Sequence, residues 1–174
     1  MVTASTATHP RSVRTMIEAV VSTRTAPLPS DCALTAARIV LAWIFIYYGA
    51  GKLFGSFHGP GLHRTALYFS HTAHLHPGEL FAVVGGVTEF GGGVLLALGL
   101  VSRLAGAALF GDMVMAMITV TWATGIQSQT SPPGYQLNLA VGVLALVVAV
   151  FGSGRFSLDA LLARRVATQA WPTG

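Results

Sequence analysis

The chain has 174 residues, of which 53% are hydrophobic and only 9% are charged. Soluble domains carry about 25% charged residues, so this composition excludes an ordinary soluble domain and indicates a membrane protein. The formal net charge is +4, but the ten Lys and Arg residues are scattered between apolar runs. That distribution argues against nucleic-acid binding and favours a charge asymmetry between the two sides of a membrane.

The first 32 residues predict a basic N-terminal tail. Apolar residues between Val13 and Val21 follow the spacing i, i+3, i+4, i+7, i+8, which predicts an amphipathic helix lying on the membrane surface. A tail without a helix is the alternative. The stretch "TAPLPS" (25–30) predicts a break before the first membrane span.

Four apolar runs follow, each close to the about 20 residues that a helix needs to cross a bilayer. They cover 33–54, 80–100, 104–124 and 137–153. Uninterrupted apolar runs do not suit a membrane β-barrel, whose strands alternate between apolar and polar residues. We therefore predict an all-α fold: a transmembrane four-helix bundle over 33–165, with short amphipathic flanking helices and a frayed C-terminal tail at 166–174.

Basic residues predict the orientation of the bundle. Only Lys52 and Arg64 flank the runs on one side. Because basic residues concentrate on the cytoplasmic side, both termini are expected to be cytoplasmic. Seven arginines flank the runs on the other side: Arg11, Arg14, Arg24, Arg103, Arg155, Arg164 and Arg165.

Three ionisable residues, Arg38, Glu89 and Asp112, fall inside the apolar runs. Each would cost about 2.5–3.5 kcal/mol if it faced lipid unpaired, so they are expected to meet inside the bundle. Gly85 and Gly93 share a helix face with Glu89, which favours close packing there. We predict that Arg38 bridges both acids, with a protonated Glu89 as the alternative. The three form a candidate catalytic centre for protons, or else a structural ion-pair network.

Polar residues near the outer ends of the spans predict a mouth above this centre. Tyr48, Lys52, Gln136 and Asn138 would place hydrogen-bond donors beside an apolar slot. Such a site suits the headgroup of a quinone, which is the cofactor we consider, and an ordinary interfacial belt is the alternative. The loop 55–79 holds five histidines, but their irregular spacing does not predict a metal site.

Three stretches in this order resemble the DoxX family of small bacterial four-helix membrane proteins. They are "YYGAGKLFGSFHGPG", "GGVTEFGGGVLLALGLVSRLAG" and "FGSGRFSLDALL", and the resemblance covers roughly 34–160. Where family members often carry a glutamate before the fourth span, this chain has Gln136. The residues that match the family pattern are Arg38, Gly49, Lys52, Glu89, Gly99, Leu100, Arg103, Gly152, Gly154, Arg155, Ser157, Leu158 and Asp159.

The resemblance implies a multi-pass protein of the bacterial inner (plasma) membrane with a role near redox chemistry. Its relatives include the membrane subunit of thiosulfate:quinone oxidoreductase and proteins of oxidative-stress defence and thiol balance. The chain itself would be at most an oxidoreductase subunit that depends on a quinone or on partner proteins. The alternatives are a scaffold that recruits soluble redox enzymes, or a small transporter, which homo-oligomerisation would favour.

Overall fold

The structure is a computed structural model that describes residues 28–127 and 134–169. Within these ranges the chain is helical and contains no strand, which confirms the all-α prediction. The predicted surface helix near Val13–Val21 lies outside the described residues. The principal helices are α1 (Leu28–Phe54), α2 (Gly61–His71), α3 (Gly78–Leu98), α4 (Ser102–Ala116), α5 (Gln136–Phe151) and α6 (Leu158–Gln169).

Three helical segments are long and apolar enough to cross a membrane: Pro29–Phe54, Gly78–Leu98 and Ser102–Thr124. The third consists of α4 continued by a π-helical turn at Met117–Thr121 and a 3-10 turn. The fourth predicted span is the shorter apolar helix α5, which has 16 residues. At 1.5 Å per residue α5 is about 24 Å long, less than the roughly 30 Å of a hydrocarbon core.

The four apolar helices form a closed bundle in which α1 packs on α3, α3 on α4, α4 on α5, and α5 on α1. Its core consists of fully buried aliphatic and aromatic side chains, whereas large apolar residues such as Trp43, Leu104 and Val150 are exposed. A helix that is apolar on all sides is expected in lipid. The most completely buried core side chains are Leu41, Phe45, Leu96, Leu109 and Val148.

Glycines bring the backbones of neighbouring helices into close approach. A Cβ on Gly49 of α1 would lie 2.8 Å from Phe90 Cα, and one on Gly93 of α3 would lie 2.9 Å from Ile46 N. These two contacts also show that α1 and α3 are antiparallel. Between α4 and α5, a Cβ on Gly106 would lie 2.8 Å from Ala149 N. Small residues therefore set the spacing of the bundle, as in many membrane helix pairs.

The bundle has two distinct ends. At the α6 end, α1 begins, α3 passes into α4, and α5 passes into α6. At the α2 end, the start of α3 extends beyond α1 and packs against α2, where Gly78 touches the Ala66 carbonyl. Helix α2 occupies part of the predicted loop 55–79 that holds the five histidines. Because α3 overshoots α1, residues near the C-terminal end of α1 lie level with the middle of α3.

Candidate functional site

The ionisable side chains buried in the bundle form two separate clusters. We call Lys52, Glu89 and Asp112 the acid centre. We call the second group, at the α6 end, the loop cluster, and it consists of Asp31, Arg38, Ser153, Ser157 and Asp159. The single convergence predicted for Arg38, Glu89 and Asp112 is therefore only partly correct.

In the acid centre, the ammonium of Lys52 on α1 pairs with the carboxylate of Glu89 on α3. Lys52 Nζ lies 2.7 Å from Glu89 Oε1. The Glu89 side chain is 3% exposed, whereas the Lys52 side chain is 26% exposed. The contact of Gly49 with Phe90 holds the two helices so close that Lys52, one turn further along α1, reaches the acid. Glu89 is thus the buried partner, and Lys52 is its connection towards the surface.

Asp112 approaches the same pair from α4. A Cβ on Gly85, one turn before Glu89, would lie 3.7 Å from Asp112 Oδ1, so the Asp112 carboxyl lies against this part of α3. Asp112 interacts electrostatically with both Glu89 and Lys52. Glu89 Oε2 and Asp112 Oδ2 are buried and have no hydrogen-bond partner in the described part of the chain. The centre therefore brings two carboxyl groups to one ammonium and leaves one oxygen of each carboxyl without a donor.

Helix α4 changes its winding shortly after Asp112. The α-helix ends at Ala116 and a π-helical turn covers Met117–Thr121. Asn138 Nδ2 on α5 donates to Thr121 Oγ1 at 3.2 Å. Single π turns are frequent at functional sites because they displace neighbouring side chains from their regular helical positions. The irregular segment lies between the acid centre and the α2 end.

Arg38 belongs to the loop cluster, and the prediction that it bridges the two acids is wrong. Its guanidinium donates to the carbonyls of Ser153 at 2.9 Å and Phe156 at 2.7 Å, and it lies beside Gly99. Gly99, the residue just after α3, follows Glu89 by ten residues, which corresponds to about 15 Å along the helix axis. The carbonyls of the loop between α5 and α6 need donors, and Arg38 supplies them. Lys52 takes the place that was predicted for Arg38.

The other members of the loop cluster hold helix ends together. Asp159 accepts hydrogen bonds from Val101 N at 2.8 Å and Ser102 N at 3.1 Å, so it caps α4. Ser157 Oγ accepts from Ala160 N at 3.1 Å, so it caps α6. Asp31 Oδ1 accepts from Arg155 N at 3.2 Å. Asp159 and Ser157 satisfy backbone N–H groups at helix starts, and Asp31 satisfies one in the loop between α5 and α6, so these three side chains have structural roles.

A family model described as DoxX matches residues 33–122, which is more than half of the chain. The chain belongs to the DoxX family. The matched segment contains the whole acid centre, whereas Ser153, Ser157 and Asp159 lie beyond it. The comparisons with curated proteins and with solved structures gave no match.

The structure does not bring together the four residues that were predicted to form a quinone mouth in this DoxX-family chain. Lys52 joins the acid centre and Asn138 bonds Thr121. Tyr48 is exposed on α1 with its ring centroid 5.5 Å from that of Tyr47. Gln136 is exposed at the first turn of α5. Their binding role remains a prediction.

Sequence reasoning missed the link between Lys52 and Glu89, although it named both residues. The signal was the spacing between Gly49 and Lys52, which places a close-packing residue one turn before a cation. It also missed that Asp31 and Asp159 are buried and bond backbone amides. In the described ranges, no group of three or more His, Cys, Asp or Glu side chains could hold a metal ion.

Proposed function

We propose that this DoxX-family membrane protein acts as a subunit or accessory of a membrane redox system, where its acid centre handles protons for a quinone. The observation that carries the proposal is the buried Lys52–Glu89 ion pair with Asp112 beside it. These groups lie on three helices that are long and apolar enough to cross a membrane. Ionisable groups inside membrane spans are costly, and they commonly mark ion or proton pathways.

Counting charges gives the protonation state that we propose. Two carboxylates and one ammonium would leave a net negative charge in apolar surroundings, which is unfavourable. A single proton shared between the Glu89 and Asp112 carboxyl groups would remove that charge. It would also make one carboxyl group a hydrogen-bond donor to the other, in a centre where one oxygen of each has no partner among the described residues. Two carboxyl groups that share one proton are a recurrent acid–base device.

The residues present fit a quinone headgroup in two respects. The partly exposed ammonium of Lys52 can donate to a quinone oxygen at the edge of the acid centre. Tyr47 and Tyr48, both substantially exposed, place aromatic rings on the same stretch of α1. A quinone supplies a two-electron couple and takes up two protons when it becomes a quinol. The chain would pass protons from its carboxyl pair towards the Lys52 side.

The electrons must come from a partner enzyme. We propose that the partner oxidises two thiols to a disulfide, or oxidises a comparable sulfur compound, and so releases two electrons and two protons. A bound quinone would receive the two electrons. The carboxyl pair holds one proton at a time, so it would be protonated and deprotonated once for each of the two protons. We place the acid centre towards the outer face of the bacterial inner membrane, with both termini cytoplasmic. The arginines at the α6 end, among them Arg103, Arg155 and Arg164, support this orientation.

The test compares E89Q and D112N with E79Q. Glu79 is exposed on the same helix as Glu89, so E79Q makes the same chemical change away from the centre. In membranes with equal amounts of each variant, quinone-dependent thiol or sulfur oxidation should fall by about 10²-fold in E89Q and D112N, as for loss of a general acid–base group. It should be unchanged in E79Q. Unchanged activity in E89Q at a normal protein level would refute the proposal.

A scaffold that recruits soluble redox enzymes is the second candidate. It is favoured by the exposed leucines Leu161 and Leu162 on α6, beyond the residues of the loop cluster. Affinity purification of the full chain and of L161S/L162S in mild detergent tests this function. A soluble partner lost only from the double variant would favour scaffolding. A transporter, with or without homo-oligomerisation, would instead show flux through the purified chain in proteoliposomes.

A further inference from the structure

A cavity at the α6 end is built from residues that the acid centre does not use. It has a volume of about 570 Å³ and lies between the end of α3 and the start of α6. Its lining is Arg38, Ala97, Leu98, Arg155, Phe156, Ser157, Leu158, Leu161 and Arg164. Among the described residues that line it, three are arginines and none is acidic. We propose that this cavity binds the phosphate group of an anionic phospholipid.

Arg38 is the fixed part of the site. Its side chain is 3% exposed, and its two terminal nitrogens donate to the carbonyls of Ser153 and Phe156. Arg38 Nε is buried and has no hydrogen-bond partner within the described segments. A guanidinium that bonds only neutral carbonyls keeps its positive charge available for an anion. Asp159 attracts Arg38 electrostatically, while its carboxylate oxygens accept from Val101 N and Ser102 N.

Arg155 and Arg164 complete the charged side of the cavity. The Arg155 side chain is almost half exposed, and its Nε lies 3.9 Å from Asp31 Oδ2, which is a long contact for an ion pair. Guanidinium groups bind phosphate through two parallel N–H···O bonds, so several around one cavity select a phosphate over a neutral headgroup. Basic pockets between helices at the cytoplasmic side of membrane proteins are typical sites for anionic headgroups.

The apolar part of the lining indicates that the phosphate is carried by a lipid. Leu98, Phe156, Leu158 and Leu161 form an apolar wall beside the arginines. Phe156 and Leu161 are more than half exposed, so an acyl chain could lie against them. The cavity also lies where α3 and α5 end, which is the depth of lipid headgroups. A free phosphate ion would leave this apolar wall uncovered.

The test measures binding of phosphatidylglycerol and phosphatidylcholine to the full chain in detergent by native mass spectrometry. Phosphatidylglycerol should bind more tightly than phosphatidylcholine. R155Q and R164Q should each weaken its binding about fivefold, and R155Q/R164Q about 25-fold, as expected for charges at a membrane surface. Arg64, exposed on α2 at the opposite end, provides the control, and R64Q should leave binding unchanged.

Two further measurements distinguish a lipid site from general surface attraction and from a site for free phosphate. A97F fills the cavity without changing any charge, so it should abolish the preference for phosphatidylglycerol. If A97F binds this lipid as well as the unaltered chain does, only surface attraction operates and the proposal is overturned. Inorganic phosphate at the same concentration should not compete with the lipid. Equal competition would show a site for free phosphate and would also overturn the proposal.

Discussion

The two polar clusters are similarly buried, but the hydrogen-bond partners of their charged side chains differ. Arg38 and Glu89 are each 3% exposed. Arg38 and Asp159 in the loop cluster direct their hydrogen bonds mainly to backbone groups of loops and helix starts. Glu89 in the acid centre bonds another side chain, and one oxygen of each carboxyl has no donor within the described residues. Burial of a charged side chain therefore does not by itself indicate a candidate proton site. Whether its hydrogen-bond partner is a backbone group or another ionisable side chain is more informative.

Our proposal that only the acid centre exchanges a proton rests on this difference. A charge that satisfies backbone amides or carbonyls cannot leave without freeing several buried polar groups. A proton between two carboxyl groups can leave and return while the helices stay in place. The following predictions test the contacts that hold the two clusters, and they run from the largest expected effect to the smallest.

Replacing Asp159 should cause the largest loss of stability. D159A leaves the N–H groups of Val101 and Ser102 without their acceptor, and it removes a counter-charge from buried Arg38. We expect the free energy of unfolding to fall by about 3 kcal/mol or more, as for a broken buried charge network. Thermal unfolding in detergent measures this. E89Q, which keeps a neutral acid-sized side chain in the acid centre, should cost clearly less; an equal cost would contradict the assignment of the two clusters.

The close contact between α1 and α3 can be broken without changing any charge. In G93A the new Cβ would meet Ile46 N and the Ala42 carbonyl, so α1 must move away from α3. We expect a loss of about 2 kcal/mol from overpacking and a weaker Lys52–Glu89 pair. G91A is the control, because a Cβ on Gly91 meets nothing within 4 Å. Unfolding of both variants should show a loss in G93A only, and equal stability would contradict the packing described for α1 and α3.

The acid centre should lose little stability when Lys52 and Glu89 are both replaced by neutral residues. K52M removes the ammonium that donates to Glu89, and we expect it to cost about 1–2 kcal/mol. Adding E89Q to K52M should recover most of that loss, since a buried ion pair replaced by neutral groups is often nearly neutral in stability. A double-mutant cycle on unfolding free energies measures the coupling. If the double variant is as unstable as the sum of the singles, the two side chains do not act as a pair.

The cap of α6 should give the smallest effect. S157A removes the oxygen that accepts from Ala160 N, and we expect a loss of about 1 kcal/mol. S157T keeps the hydroxyl and is the matched control. Unfolding measurements on the two variants should differ by most of this amount. Identical stability would show that Ser157 is not needed as a cap.

The helices could be predicted because a helix that crosses lipid needs a long apolar run. The residues at which the helices begin and end could not be predicted from hydropathy alone. Helix α1 begins at Leu28, so Pro29 and Ser30 lie in its first turn instead of in a break. Proline is well tolerated there, because the first helical N–H groups have no intrahelical acceptor. The fourth predicted run, 137–153, corresponds to the 16-residue helix α5, which begins at Gln136 and ends at Phe151.

The site was only partly predictable for a reason of geometry. The small-residue face around Glu89 correctly indicated a bundle-facing acid, because Gly85 and Gly93 repeat with the helical period. The partner was missed because Lys52, near the end of its apolar run, was assigned to the polar mouth above the centre. Helix α3 extends past α1 to pack on α2, which brings Lys52 level with Glu89. The hydrogen bonds from Arg38 to carbonyls of the α5–α6 loop could not be predicted from the spacing of residues in the sequence.

The shared proton that we propose for the acid centre can be tested most directly by infrared spectroscopy of the purified chain at neutral pH. A protonated carboxyl group has a C=O stretching band separate from the bands of carboxylates, and this band shifts in D₂O. We predict one such band in the unaltered chain and in E79Q, and its loss in both E89Q and D112N. Absence of the band from the unaltered chain, or its survival in both variants, would contradict a proton held between Glu89 and Asp112.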